Sequence, residues 1–223
     1  AVRMGFFDTP QPVTFQLYSE TLQKFRLSAE GLREPVTPPT HRARILAAFD
    51  SLPVWYRPLE EAGVNAADYP YHAVTQRPMA MYHSWGSMNA WLRQIHTRNV
   101  LYVPGAICDA EGLATGDWAW VTSHHGRIKV EISRTDAVNR ATMWTWNAIG
   151  KRKGAWRLAK NAPEGEKGFL LNHLISDVTP RGDYANADPV TGQAAWFDLR
   201  VSIRKVDAEA GESAPQFAPL QFG

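Results

Sequence analysis

The residues best suited to chemistry lie in one polar stretch, residues 75–89. It carries Arg77, whose planar guanidinium suits a phosphate or a fused heterocycle. Short hydrogen-bonding side chains follow it closely, namely His83, Ser84, Ser87 and Asn89. This set is typical of a loop that binds an anion, and a phosphate-bearing ligand is the first candidate. The same residues also fit an ordinary polar surface loop capped by Ser and Asn.

Two elements are predicted to position this stretch. The apolar run 71–74 before it predicts a strand, and residues 90–95 after it have the composition of a short helix. A strand-to-helix loop leaves backbone N–H groups free to hold an anion. The sequence therefore predicts an anion-binding loop between a strand and a helix.

The rest of the C-terminal half predicts short strands joined by tight turns. The strands are expected at residues 99–103, 118–122, 128–132, 142–146 and 198–205. Gly116 with Asp117, and His125 with Gly126, have the residues of tight turns. We therefore expect a mainly β protein with short helices, in which the strands close into a barrel.

The two ends of the chain have a different composition. Residues 29–70 are rich in Pro and lack sustained periodicity except at 42–49, where a helix is predicted, and Ser19 is predicted to open another short helix. We expect residues 1–70 to be an extended linker that wraps from a preceding domain, residues 71–206 to form the barrel, and residues 207–223 to be a flexible tail.

Composition limits the classes of function. The chain has 223 residues, 44% of them apolar, and a net charge of +2 with its Lys and Arg spread along the sequence. These values predict one sizeable core and argue against nucleic-acid binding and direct membrane insertion. The single cysteine, Cys108, excludes an internal disulfide and suits a reducing compartment. The start at Ala1, without an initiator Met, leads us to expect a piece of a longer polypeptide.

Several familiar catalytic patterns are missing from the sequence. His124 and His125 are adjacent, so in a strand they point to opposite faces and do not chelate one ion. There is no Gly-x-Ser-x-Gly nucleophile motif, and residues 150–154 lack the spacing of a phosphate loop. Cys108 is better interpreted as a small buried hydrophobe than as a metal ligand. We therefore assign no catalytic and no metal-binding residue to this chain.

Three segments, taken together, resemble a known family. Residues 75–88 place Thr-x-Arg before His-Ser, Gly-Ser and Met, although Gln76 stands where the family more often has Gly. Residues 7–20 resemble the stretch that leads into the C-terminal domain of that family. Residues 110–121 are similar to the Gly-Asp signature of the double-psi β-barrel, the aspartate decarboxylase-like fold. The chain thus resembles the C-terminal domain of molybdopterin oxidoreductases of the dimethyl sulfoxide reductase family.

The resemblance implies a cofactor and a set of contacts. The cofactor would be molybdopterin guanine dinucleotide, bound as a pair with molybdenum in the full-length protein. Contacts to the pterin and phosphates are implied for Thr75, Gln76, Arg77, His83, Ser84, Gly86 and Ser87. Asp109 would contact the guanine edge, and Asn172 and Gln193 the pterin edge. Each also has a structural alternative: Asp109 as a helix cap, Asn172 as a turn residue and His83 as a buried histidine.

The resemblance also implies partners. Within the family, residues 82–87, 144–156 and 193–198 look most like the catalytic subunits of three-subunit, membrane-associated enzymes, with cytoplasmic sulfite dehydrogenases as the nearest group. The missing N-terminal domains would supply the metal ligand and the iron–sulfur cluster, so the isolated domain is expected to be inactive. Further partners would be an iron–sulfur subunit for electron transfer, with a membrane-anchor subunit, and the parent complex would lie on the cytoplasmic side. Nine tryptophans leave one alternative from another class: a non-catalytic β-barrel module that binds sugar or peptide.

Overall fold

A computed structural model describes residues 19–32, 38–52, 54–83, 85–96, 99–147, 149, 168–196 and 198–207. The chain divides into two compact units, which are described separately. One comprises Ala1–Tyr56 with Asp188–Gly192, and the other comprises Arg57–Ala187 with Gln193–Gly223. The predicted extended run before residue 19, the basic loop at 150–154 and the tail beyond 207 lie outside the described residues.

The smaller unit contains two helices, α1 (Ser19–Glu30) and α2 (Pro39–Ala48). Both were expected, although α1 is longer than the short helix predicted from Ser19. Arg26 joins them, because its guanidinium donates to the carbonyl of Leu46 at 3.1 Å. α2 begins with proline, whose fixed φ suits the first helical position.

The larger unit is a closed barrel of six strands, which confirms the prediction of a mainly β fold. The strands are β1 (Tyr71–Gln76), β2 (Leu101–Pro104), β3 (Trp118–Thr122), β4 (Arg127–Thr135), β5 (Thr142–Trp146) and β6 (Arg200–Lys205). Their order around the barrel is β1-β5-β2-β4-β3-β6. β1 pairs in parallel with β5, and β2 with β4, whereas the other pairs are antiparallel.

The barrel interior follows from alternation along each strand. In β3, Ala119 and Val121 are fully buried, whereas Trp118 and Trp120 on the other face are only partly buried. The same two-residue period places Leu101 and Val103 of β2 inside. Branched and aliphatic side chains therefore fill the barrel, and the larger aromatic rings cover its outer wall.

Short helical elements lie at the ends of the strands. α3 (Ala90–Ile95) is capped by Asn89, whose side-chain oxygen accepts from the N–H of Trp91 at 2.9 Å. α4 (Gly105–Glu111) ends at Gly112, which adopts the left-handed conformation with φ of 63°. Two 3₁₀ turns complete the described elements, one at Trp85–Met88 and one at Leu171–Leu174.

The expected tight turns are present. Ser123 donates its N–H to the carbonyl of Gly126 at 2.8 Å, which closes the hairpin between β3 and β4. In the turn that Gly116 forms with Asp117, Gly116 has φ of 91°, and its N–H donates to the carbonyl of Ile132 at 2.9 Å. In the described part of the chain, every helix is too short or too polar to cross a membrane.

Candidate functional site

One end of the barrel gathers the last residues of β1 and β5. Gln76 ends β1 and lies opposite Trp146 of β5. The next residue, Asn147, donates its N–H to the carbonyl of Gln76 at 2.7 Å. Gln76 and Arg77 are exposed here, whereas Thr75 is buried and lies on the same face of β1 as the core residue Ala73. The base of the predicted loop is therefore fixed by strand pairing, with Arg77 emerging from it.

A buried asparagine connects this end to two other segments. Asn99 is 1% exposed, and its side-chain nitrogen donates to the carbonyls of Trp146 at 3.2 Å and Phe169 at 3.3 Å. Its side-chain oxygen accepts from the hydroxyl of Thr145 at 2.9 Å. We call this assembly the Asn99 rim, and it comprises Gln76, Asn99, Trp146, Asn147 and Phe169. In the sequence, Asn99 is predicted only as the first residue of a strand, and no local pattern indicates that it bridges two other segments.

The second 3₁₀ turn, which we call the Asn172 turn (Leu171–Leu174), begins two residues after Phe169. The hydroxyl of Ser123 in the β3–β4 hairpin donates to the carbonyl of Leu174 at 2.7 Å. A Cβ atom on Gly126 would lie 2.7 Å from the carbonyl oxygen of His173, so the hairpin approaches this turn closely. The turn is thus held between the Asn99 rim and the hairpin, and the side chain of Asn172 is exposed.

Gln193 is tied to the segment that follows the Asn172 turn. Ala194, the residue after Gln193, forms an antiparallel β-bridge with Ala187. Asn186 accepts from the N–H of Ala195 at 3.0 Å and donates its side-chain nitrogen to the carbonyl of Ser176 at 3.2 Å. Asn186 thus connects the segment that follows the Asn172 turn with the segment of Gln193. The pterin contacts implied for Asn172 and Gln193 stay predictions.

The loop after β1 is compact around its glycine. A Cβ atom on Gly86 would lie 3.0 Å from Leu92 and 3.1 Å from Met81, so a larger residue would crowd this packing. His83 has φ of 50°, and it is the one non-glycine residue with positive φ in the described ranges. Ser84 and the side chain of Ser87 lie outside the described residues. Their predicted ligand contacts, and that of His83, stay predictions.

Residues 104–109, which include Asp109, lie away from this rim. β1 runs from Tyr71 to Gln76, so its last residue lies at the rim. At its first residue, the hydroxyl of Tyr71 donates to the carboxylate of Glu111 in α4 at 2.6 Å. Because β2 runs antiparallel to β5, and β5 runs parallel to β1, β2 leads away from the Asn99 rim and into α4. α4 therefore lies at the opposite end of the barrel, which we call the α4 end.

At that end Asp109 is already paired. Its two carboxylate oxygens accept from the guanidinium of Arg134 at 2.5 Å and 3.1 Å. The hydrogen bond from Arg134 lowers the pKa of Asp109 below its ordinary value. A guanine contact at Asp109 stays a prediction, and it would require a ligand long enough to reach the α4 end and to compete with Arg134.

The proline-rich segment contains a buried carboxylate that no sequence pattern indicated. Glu60 is 1% exposed and accepts from the N–H of Arg200 at 2.9 Å. Its backbone N–H donates to Asp198 at 2.8 Å, and Nδ1 of His124 lies 3.6 Å from its carboxylate. Burial raises the pKa of Glu60 to about 7, and burial lowers the pKa of His124. Nothing in the spacing of the sequence could have joined Glu60 to a hairpin and a strand so far along the chain.

The groups near the Asn99 rim fit a pterin dinucleotide. The exposed guanidinium of Arg77 forms no ion pair with any described residue, and it suits a phosphate. The side-chain oxygen of Asn147 is buried and accepts from no protein donor in the described ranges, so an N–H of a ring edge suits it. The described residues include no group of three or more His, Cys, Asp or Glu side chains that could hold a metal ion.

Comparison with known proteins defines the class. The family model described as "Molydopterin dinucleotide binding domain" matches residues 71–187. The chain therefore belongs to this family of domains that bind a molybdopterin dinucleotide, as the sequence motifs indicated, and the family relation implies that cofactor in the full-length protein.

One curated relative and one solved structure narrow the comparison. The chain is 52% identical over 224 residues to a sulfite dehydrogenase subunit of Allochromatium vinosum, in an alignment that covers 97% of this chain and 23% of that protein. The structure of acetylene hydratase from Pelobacter acetylenicus superposes with a TM-score of 0.56 at 20% identity, over 72% of this chain and 22% of that one. The second likeness shows a shared fold. The chain thus spans less than a quarter of the length of each of these two proteins.

Proposed function

We propose that this chain is the C-terminal cofactor-binding domain of the catalytic subunit of a molybdenum oxidoreductase. It would hold molybdopterin guanine dinucleotide, with Arg77 near a phosphate and with Asn172 and Gln193 at the pterin edge. The observation that carries the proposal is the arrangement around the Asn99 rim. There one buried amide bonds to the end of β5 and to Phe169, which precedes the Asn172 turn. The end of β5 is in turn bonded to Gln76 at the base of the loop after β1, through the N–H of Asn147.

The strand order supports the double-psi form of the barrel. Among the six described strands, β3 and β4 are the one pair that is consecutive in sequence and adjacent in the barrel. Every other connection skips at least one strand, and two of the pairs are parallel. Such crossed connections are what the double-psi barrel, expected from residues 110–121, requires. An up-and-down barrel would instead pair each strand with the next.

For the parent enzyme we propose sulfite as the substrate, on the basis of the relative named above. When bound, the molybdenum cofactor supplies the oxygen-atom and electron transfer, and this domain contributes binding and electrostatics. The proposed partners are the N-terminal domains of the same polypeptide, an iron–sulfur subunit for electron transfer and a membrane-anchor subunit on the cytoplasmic side. By itself the domain would be catalytically inactive.

The test is a calorimetric titration of the chain with GDP, which represents the guanine, ribose and pyrophosphate of the cofactor. Arg77→Ala is expected to raise the Kd for GDP at least about tenfold, since a charge-assisted hydrogen bond contributes on the order of 1.5–3 kcal/mol. Arg181→Ala, which removes another exposed arginine, is the matched control and should leave the Kd unchanged.

Two outcomes would contradict the proposal. One is a wild-type chain that neither binds GDP at millimolar concentration nor gains thermal stability in its presence. The other is equal binding by wild type and Arg77→Ala. Quenching of tryptophan fluorescence by oligosaccharides, without any response to GDP, would favour the sugar-binding alternative.

A further inference from the structure

Asn99 uses nearly all of its hydrogen-bonding capacity inside the barrel. A carboxamide has two donor hydrogens and one acceptor oxygen. Its two donors are engaged by two backbone carbonyls, and its oxygen faces the hydroxyl of Thr145. That hydroxyl also lies 2.9 Å from the carbonyl of Val100, so its one hydrogen is shared between two acceptors. The amide is therefore held in a single orientation.

The two carbonyls belong to different parts of the proposed site. Trp146 ends β5 and precedes Asn147, which bonds to Gln76 at the base of the loop after β1. Phe169 precedes the Asn172 turn. The two acceptors lie 47 and 70 residues from Asn99 in the sequence. One side chain thus fixes the distance between two segments that no continuous stretch of the chain connects closely.

The chemistry of this position restricts what could replace asparagine. Aspartate has the same shape, but it presents oxygen to both carbonyls and would repel them. Alanine would leave both carbonyls and the Thr145 hydroxyl without this partner in a buried place. An uncharged side chain with two adjacent donors is needed, and asparagine supplies it.

We propose that Asn99 is a positioning residue of the cofactor site. It acts through the backbone of Trp146 and Phe169 and sets the separation between Arg77 and Asn172. It need not touch the ligand, because its amide is satisfied within the protein. This inference rests on the function proposed above and assigns it a residue outside the ligand-contacting loops.

The first test combines hydrogen–deuterium exchange with GDP titration on the whole chain. In Asn99→Asp, the amides of residues 171–175 and Asn147 are expected to exchange at least about tenfold faster than in wild type, while the amides of α4 keep their rates. The Kd for GDP is expected to rise about tenfold. Faster exchange at both Asn147 and the Asn172 turn would show that one side chain, Asn99, stabilises both segments.

A second pair of variants keeps the test decisive if Asn99→Asp does not fold. Thr145→Val removes the hydroxyl that orients the amide, whereas Thr145→Ser keeps it. The valine variant is expected to weaken GDP binding several-fold and to loosen the Asn172 turn. The serine variant should retain both wild-type properties, apart from the effect of a missing methyl group on thermal stability.

Tyr71→Phe at the α4 end serves as the control for general destabilisation. If it lowers the melting temperature and weakens GDP binding as much as the Asn99 or Thr145 variants do at matched stability, the positioning role is overturned. Wild-type affinity for GDP in Asn99→Asp or Thr145→Val would overturn it equally. If the wild-type chain itself does not bind GDP, the proposed function fails and takes this role of Asn99 with it.

Discussion

The two ends of the barrel use their polar side chains in opposite ways. At the α4 end, side chains pair with one another: Arg134 with Asp109, Tyr71 with Glu111, and Lys205 with Asp117 at 2.7 Å. At the Asn99 rim, side chains bond mostly to backbone. There Asn99 donates to two backbone carbonyls, and in the neighbouring β3–β4 hairpin Ser123 donates to the carbonyl of Leu174 in the Asn172 turn.

This difference distinguishes polar groups that are occupied within the protein from polar groups that remain able to bind a ligand. Mutual pairing at the α4 end satisfies both partners, so little capacity remains for a bound molecule. Backbone bonding at the rim fixes the geometry while Arg77 emerges exposed and the side-chain oxygen of Asn147 has no described donor. A count of charged residues alone would have favoured the α4 end as the candidate site.

The largest expected effect concerns the buried carboxylate of Glu60. The pKa of Glu60 is raised from its ordinary value of 4.5 to about 7. The folded chain therefore binds this proton more tightly than the unfolded chain. The resulting contribution to the free energy of unfolding is fully present below about pH 4.5 and is lost as the pH rises through 7. In Glu60→Gln, the free energy of unfolding relative to wild type should increase by about 3 kcal/mol between pH 4 and pH 8.

Urea unfolding of both proteins across that pH range measures the difference. The histidines that face this cluster, His124 and His72, titrate in both proteins, so their contribution largely cancels in the comparison. A difference in stability that does not change with pH would show that Glu60 ionises as easily in the folded chain as in the unfolded one.

The next effect concerns how tightly the hairpin and the Asn172 turn are packed. Gly126→Ala would bring a methyl group to 2.7 Å from the carbonyl oxygen of His173, so the turn must move. We expect a loss of about 1–3 kcal/mol in thermal or urea unfolding, with faster amide exchange at residues 171–175.

Gly112→Ala at the α4 end is the matched control for that variant. Gly112 has φ of 63° and no atom within 4 Å of the added methyl group, so only its backbone conformation is strained. It should lose stability without altering exchange at the Asn172 turn. Equal exchange at that turn in both variants would argue against the close approach of the hairpin.

A smaller effect is expected at the α4 end itself. Tyr71→Phe removes the hydroxyl that donates to Glu111 at 2.6 Å, and it should lower the free energy of unfolding by about 1 kcal/mol. Burial, together with the hydrogen bond to Glu111, raises the pKa of Tyr71 to about 12. An unchanged stability in urea unfolding would mean that solvent replaces this bond without cost.

The smallest effect is predicted for Asp109→Asn. Asp109 and Arg134 are both exposed, and exposed ion pairs contribute little because water and salt screen them. Thermal unfolding should be nearly unchanged. GDP titration of the same variant then examines the predicted guanine contact directly: weaker binding would support it, and an unchanged Kd would remove Asp109 from the site.

Local sequence patterns predicted most of the elements. Alternation in residues 142–146 indicated β5, and His125 with Gly126 indicated the hairpin, because period-two burial and turn chemistry are properties of neighbouring residues. The short helix after the loop that follows β1 was likewise visible in its composition. It follows Asn89, a residue whose side chain suits a helix cap.

Long-range features were not visible in the sequence. The position of Asp109 depends on the direction of β2 relative to β5, which is decided by strand pairing across the whole barrel. Likewise, Asn99 meets Phe169, and Glu60 meets Arg200, only after the barrel has closed. These contacts were missed because single residues without periodicity give no sign of their partners.

The fully buried thiol of Cys108 can report how often the barrel opens locally. Its sulfur lies 3.7 Å from the carbonyl of Val103, and burial raises the pKa of the thiol, so the native chain offers reagents neither access nor thiolate. Because it is the one cysteine in the sequence, the rate of alkylation reports how often α4 and the strands beneath it come apart. The opening rate of every variant described above can therefore be measured by alkylation of Cys108, without an added label.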